Sequence, residues 1–210
     1  MEFAVVDNMM NFIENVDIID HVSEYDSVLV GTNLYCTMSQ GLQLKVMLDY
    51  PYVYERNLGT KYGDKDKLGT LLECRSDNEP TFCLCFITEG YNFRPDLAKD
   101  YLSYEALDKC LKLANVLYGG KHIACPLLGS SRFDGNGDRD RIIDLFKSNL
   151  KDVDVTIYDY FQKSRQEEMK EIREEELKVK EIDREKYYQM VKQRKEKAEE
   201  RFRKNGHRRY

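Results

Sequence analysis

The eight residues Thr81–Thr88, TFCLCFIT, are almost wholly apolar. A strand with one wet face alternates apolar and polar residues, whereas a continuous apolar run needs cover on both faces. The chain must therefore place a layer of structure on each side of this strand. Val28–Val30 is a second β-rich run, stopped by Gly31-Thr32-Asn33. Phe3–Val6, Leu71–Cys74, His122–Pro126 and Val153–Tyr158 read as further strands. Leu102–Tyr118 carries Leu107, Cys110, Leu111, Ala114 and Leu117 at helical spacing and closes on Gly119-Gly120. An amphipathic helix is predicted from about Ser39 to just before Pro51, and another over Ile142–Leu150. Tyr52–Tyr62 reads as a helical or turn segment, and Asn8–Tyr25 as loosely helical with one break. Strands alternating with helices predict an α/β sandwich with a largely buried, mostly parallel sheet.

Charge divides the chain. Residues 161–210 hold 17 Lys and Arg against 12 Asp and Glu, a balance of +5, so the net −5 of the whole leaves −10 for residues 1–160. An acidic body, 1–160, is thus expected to carry a charged arm, 161–210, with a basic end. Between Gln162 and Lys204 there is neither Gly nor Pro, and Glu174→Lys178 and Glu199→Arg203 are favourable i, i+4 pairs. The apolar stripe there is thin, which predicts a long solvated C-terminal helix. Its end, Lys192–Arg209, sets nine Lys and Arg against three Glu. Three roles fit such a stretch: contact with nucleic-acid phosphates, docking on a protein partner or a second copy, and simple solvation. Six cysteines lack CxxC spacing and the three histidines are scattered, so neither a metal site nor a cofactor is expected, and the thiols read as reduced and mostly buried. No run of about 18 apolar residues marks a membrane span, and no basic-then-apolar leader opens the chain. Cytoplasmic residence follows as the expectation.

Two loops fall at the carboxyl ends of strands, where open α/β sheets bind ligands. Thr32–Gly41 follows Val28–Val30, and Leu128–Asp138 (LGSSRFDGNGD) follows His122–Pro126. A strand–loop–helix presents backbone N–H groups and the positive end of a helix dipole, the usual setting for phosphate. The plainer reading is that both are ordinary βα connections.

The stretch Val30–Gly69, VGTNLYCTMSQGLQLKVMLDYPYVYERNLGTKYGDKDKLG, resembles the ligand loop and following helix of macrodomains, especially the small macrodomain proteins of bacteriophages. Those typically show an HGCNC-like strand end, a TMGxGIA loop, a helix ending in YP, and then YGD…KLG. The likeness continues through Tyr101–Leu117 and Cys125–Tyr158, about 150 residues in all, and stops near Phe161. It implies a macrodomain-like fold, a three-layer α/β/α sandwich with a mostly parallel mixed sheet, and, as ligand, ADP-ribose, its 1″-phosphate, or an ADP-ribosyl group on a macromolecule. A phage origin would place the protein in the host cytoplasm. Position by position, Asn8 stands where an Asp contacts adenine, and Asn33 where an Asn orients the distal ribose. Thr37, Met38, Ser39 and Gly41 match the loop around that ribose and the diphosphate. Gly129, Ser130, Ser131, Arg132 and Phe133 match the second diphosphate loop, and Tyr158 an aromatic residue beside adenine.

The departures from that pattern cluster in the loops. MGxGIA has become Met38-Ser39-Gln40-Gly41-Leu42-Gln43, so side chains stand where glycine lets a ligand approach the backbone. The second loop has lost glycines, and Arg139 replaces a Trp. Glu89 follows the central strand where related hydrolases have Lys, and no His lies near Asn33. Asp134 and Asp138 remain as candidate general bases, although an exposed loop Asp is more often a turn or helix-cap residue. Two functions stay open. One is an ADP-ribose-recognising domain that hydrolyses ADP-ribose 1″-phosphate or an ADP-ribosyl linkage. The other is a degenerate macrodomain that serves as a structural or interaction module, for example in a phage assembly, through 161–210.

Overall fold

The structure, a computed structural model, describes residues 10–90, 101–131 and 134–159. Among these, six strands form one sheet: β1 (Met10–Glu14), β2 (Ser27–Asn33), β3 (Leu71–Cys74), β4 (Phe82–Thr88), β5 (His122–Pro126) and β6 (Asp154–Asp159). Their order is β1-β6-β5-β2-β4-β3, and every neighbouring pair is parallel except β3 with β4. The all-apolar β4 and the run in β2 lie in the interior and pair with each other from Val28 opposite Phe82 to Asn33 opposite Thr88. Both are buried along their whole length.

Strand alternation sorts the apolar residues into two cores. Leu29, Cys83, Cys85 and Ile87 point to one face, where they meet Leu107, Cys110 and Leu111 of helix α3 (Tyr104–Leu117) and Ile142 and Phe146 of helix α4 (Arg139–Asn149). Val28, Val30, Phe82 and Leu84 point to the other, against Val46 of helix α1 (Gly41–Asp49) and Val53 of helix α2 (Pro51–Leu58). The result is the expected α/β/α sandwich with a mixed, mostly parallel sheet. All six cysteines are buried free thiols. No helix among the described residues is long and apolar enough to cross a membrane.

One expectation is corrected. The start of Asn8–Tyr25 is not helical: Met10–Glu14 is strand β1, registered from Met10 opposite Val155 to Glu14 opposite Asp159. Five residues are too few to show a helical period, and the open edge of β6 supplied backbone partners that no local preference could reveal. The second half, Ile18–Glu24, is a 3-10 helix that begins where the Asp17 carboxylate accepts the Ile19 N–H at 3.2 Å. Pro51, expected only to end a helix, also opens α2 at the position where its missing N–H costs nothing. Phe3–Val6, Asn8, Arg132, Phe133 and the arm 161–210 lie outside the described residues.

The caps differ in a way that matters for the site. Ser103 caps α3 by accepting the Ala106 N–H, and Asp138 caps α4 by accepting the Arg141 N–H at 2.9 Å. Ser103→Ala will lower stability by about 1 kcal/mol, read as a shift of the urea midpoint at unchanged slope. Among the described residues no side chain caps α1.

Candidate functional site

The uncapped end of α1 opens on a cleft of about 380 Å³ at the carboxyl edge of the sheet. Its floor is Val30 and Gly31 of β2; its sides are Gln40–Lys45, Pro126, Leu127, Ser130 and Ser131 with Asp134, and the strand end Tyr158-Asp159. Val16, Asp17 and Ile18 close it beside Tyr158. The topology explains the place. Strand order reverses around β2 and β5, so the connections leaving these neighbours diverge and leave a crevice.

Each loop is held by its own chemistry. Asn33 is buried, and its amide latches the first loop: Oδ1 accepts the Tyr35 N–H at 2.9 Å, and Nδ2 donates to Thr37 Oγ1 at 2.8 Å and to the Thr37 carbonyl at 3.1 Å. Lys67 braces the same loop from behind, donating to the Leu34 carbonyl at 2.8 Å and to Thr60 Oγ1 at 3.0 Å. In the second loop Gly129 has φ +82°, and the Gly137 N–H returns to its carbonyl at 2.8 Å. Ser130 spends both its N–H (3.1 Å) and its hydroxyl (2.7 Å) on the Leu127 carbonyl.

Asp134 stands out. The residue keeps some surface exposure, yet Oδ1 is sealed from solvent and, among the described residues, has no hydrogen-bond partner. Oδ2 accepts the Gly129 N–H at 2.9 Å. Burial pushes the carboxyl up to about 7 despite the hydrogen bonds from the backbone of Gly129, Ser131 and Asp134 itself, which pull the other way. Gly31 faces it: a Cβ there would lie 3.4 Å from Asp134 Oδ2 and 2.9 Å from Ile87 Cδ1, so a side chain at this position would collide with Ile87 beside the carboxyl.

The cleft's other carboxylates are paired with cations. Asp17 pairs with Lys45, and Asp159 with Arg139 at 2.5 Å. The Asp159–Arg139 contact is an ion pair rather than a well-directed hydrogen bond, since Asp159 Oδ2 finds no partner of good geometry. Tyr158 is buried; its hydroxyl shares a 2.8 Å hydrogen bond with Tyr25, and the His21 ring stacks on it at 5.9 Å. Burial, then the Tyr25 hydroxyl, raises its phenol well above the usual range.

Of the candidate residues, Gly41, Ser130, Ser131, Asp134 and Tyr158 share the cleft wall. Asn33, Thr37, Ser39 and Gly129 sit behind it or beside it, and Met38 belongs to the core beneath α1. Asp138 is the cap of α4, and its own N–H is held by the Tyr104 hydroxyl at 2.8 Å. Sequence reading left out Gly31, Asp17 and Lys45, and noted Gln43 only as a departure. Gln43 is 7% exposed and lines the cleft, and among the described residues its amide has no hydrogen-bond partner. A buried Gln on the face of α1 that meets the sheet was the one available signal, since that face is otherwise apolar.

No protein-family model matches the sequence, and no curated protein does. Solved structures do match. The macrodomain of DarG from Mycobacterium tuberculosis aligns at TM-score 0.54 and 14% identity over 73% of this chain and 99% of that one. A Bacteroides thetaiotaomicron protein of unknown function aligns at TM-score 0.58 and 17% identity over 72% and 99%. DarTG of Thermosipho africanus, solved in complex with ADP-ribose, aligns at TM-score 0.56 and 16% identity over 76% of this chain and 44% of that one. Identities so low speak to architecture alone, and with the sheet order and the crevice described above they agree on it: this chain has the macrodomain fold.

Proposed function

We propose that the cleft recognises ADP-ribose or an ADP-ribosyl group. The observation that carries this reading is the uncapped N-terminus of α1, which opens on a crevice of about 380 Å³ in the fold that DarTG presents in its ADP-ribose complex. The leading N–H groups of α1 supply donors for a diphosphate without a bound cation. Val16, Ile18 and Tyr158 form an apolar end for the base, and the volume suits a ligand of this size. Hydrolysis of ADP-ribose 1″-phosphate or of an ADP-ribosyl linkage would fall to Asp134, because Asp138 serves as a cap away from the cleft wall.

One observation favours the second reading, a scaffold that has given up its ligand. The donors of the second loop are turned inward, onto Leu127 and Asp134. Titration calorimetry with ADP-ribose on the full chain separates the two. Saturable heat is expected, with Gln43→Ala lowering the affinity about tenfold through loss of its amide contact while the melting temperature stays near that of the parent. No heat at millimolar ADP-ribose, at pH 6 or at pH 8, leaves the scaffold reading standing and removes the first.

A further inference from the structure

In this cleft an anion of the chain's own already sits in one phosphate cradle. The loop after β5 is where a bound diphosphate would find backbone donors, yet Gly129 N–H donates to Asp134 Oδ2 at 2.9 Å. The Ser130 donors are committed to Leu127. The Gly129 donor is thus taken by a carboxyl supplied five residues later. The setting of that carboxyl differs from those around it. Asp17 is neutralised by Lys45 and Asp159 by Arg139, whereas among the described residues no cation pairs with Asp134.

We propose that Asp134 is a built-in competitor for the ligand's phosphate: ionised, it holds the Gly129 N–H and sets a negative charge in the cleft wall; protonated, it loosens that hold and admits the anion. This rests on the reading of the cleft as an ADP-ribose site and adds a means of control to it. The charged and titratable groups that line the cleft with Asp134 are Asp17 and Lys45, paired beside α1, Asp159, paired with Arg139 of α4, and Tyr158, on which His21, bonded to Glu24 at 2.8 Å, stacks. Both carboxylates already have cations, and neither ion pair reaches Asp134.

The raised Asp134 carboxyl, near 7, sets the size of the effect. Its neutral fraction falls from about nine-tenths at pH 6 to about one-tenth at pH 8, so affinity should fall about tenfold over that span. The diphosphate diester of ADP-ribose does not titrate in this range, so the change belongs to the protein. The test is calorimetry of the full chain with ADP-ribose at pH 6, 7 and 8, repeated on Asp134→Asn and His21→Gln. The expected result is a tenfold loss for the parent and for His21→Gln, with Asp134→Asn flat and at least as tight as the parent at pH 6. Equal affinity of the parent at pH 6 and pH 8 overturns the proposal while leaving the cleft as a binding site. A fall that persists in Asp134→Asn, or disappears in His21→Gln, overturns it too, because another group would then carry the titration. Should Asp134→Asn not fold, the parent and His21→Gln profiles decide. No saturable heat at pH 6 removes the binding reading and this inference with it.

Discussion

Asp134→Asn will stabilise the folded chain at pH 8 and leave it almost unchanged at pH 4. The unfolded chain gives up this proton near pH 4, as an ordinary Asp does, whereas the folded chain keeps it until about 7. Between those two values the native state binds more protons than the unfolded state, so stability falls as pH rises. Above 7 both states are ionised and the loss is complete. Three units at about 1.4 kcal/mol each set a ceiling of about 4 kcal/mol for the difference that opens between variant and parent from pH 4 to pH 8. The asparagine keeps the shape of the side chain and an acceptor for the Gly129 N–H, and it introduces no buried charge. Urea unfolding of both proteins at pH 4, 6 and 8 reads this directly, because every other titrating group is common to the pair and cancels. A constant difference across the three pH values would show that water reaches the carboxyl.

The second large effect belongs to Gly129. At φ +82° it sits where only glycine is unstrained, and an added Cβ would lie 2.5 Å from Leu102 Cδ1 and 2.8 Å from Leu102 Cδ2. Leu102 is itself pinned, its N–H donating to the Gly135 carbonyl at 3.0 Å. Gly129→Ala should therefore cost about 2–4 kcal/mol, part from the left-handed backbone and part from overpacking. A double-mutant cycle separates the parts: Leu102→Ala relieves the collision and leaves the backbone strain, so the two changes together should cost less than their sum. Strict additivity would show that the collision is absorbed elsewhere.

Much of the fold was legible because its signals are local. The run Thr81–Thr88 announced a buried interior strand and β4 spans Phe82–Thr88; His122–Pro126 was bounded as it is found. The heptad-like spacing of Leu107, Cys110, Leu111 and Ala114 places the buried face of α3 residue by residue. Strand β1 was missed because five residues carry too little pattern, and its pairing with β6 joins positions some 145 residues apart. At the site, topology alone pointed to both loops. The roles within them were not readable. Asn33 was expected at the ligand by likeness, and its amide is seen latching the loop to Thr37. Gly31 looked like the end of a strand and proves to be the open floor of the cleft.

What the sequence determined by itself is the layering and the edge where a ligand would sit, because hydrophobic period and the strand–loop–helix order act over a few residues at a time. What only the tertiary structure decided is the chemistry at that edge. Whether a carboxyl is paired, enclosed or exposed depends on atoms brought from β2, β6, α1 and the loop after β5. Asp17, Asp134 and Asp159 are the same residue in the sequence. In the fold two of them stand beside cations and the third is sealed among backbone N–H groups, and desolvation makes that third one the group that titrates near neutrality.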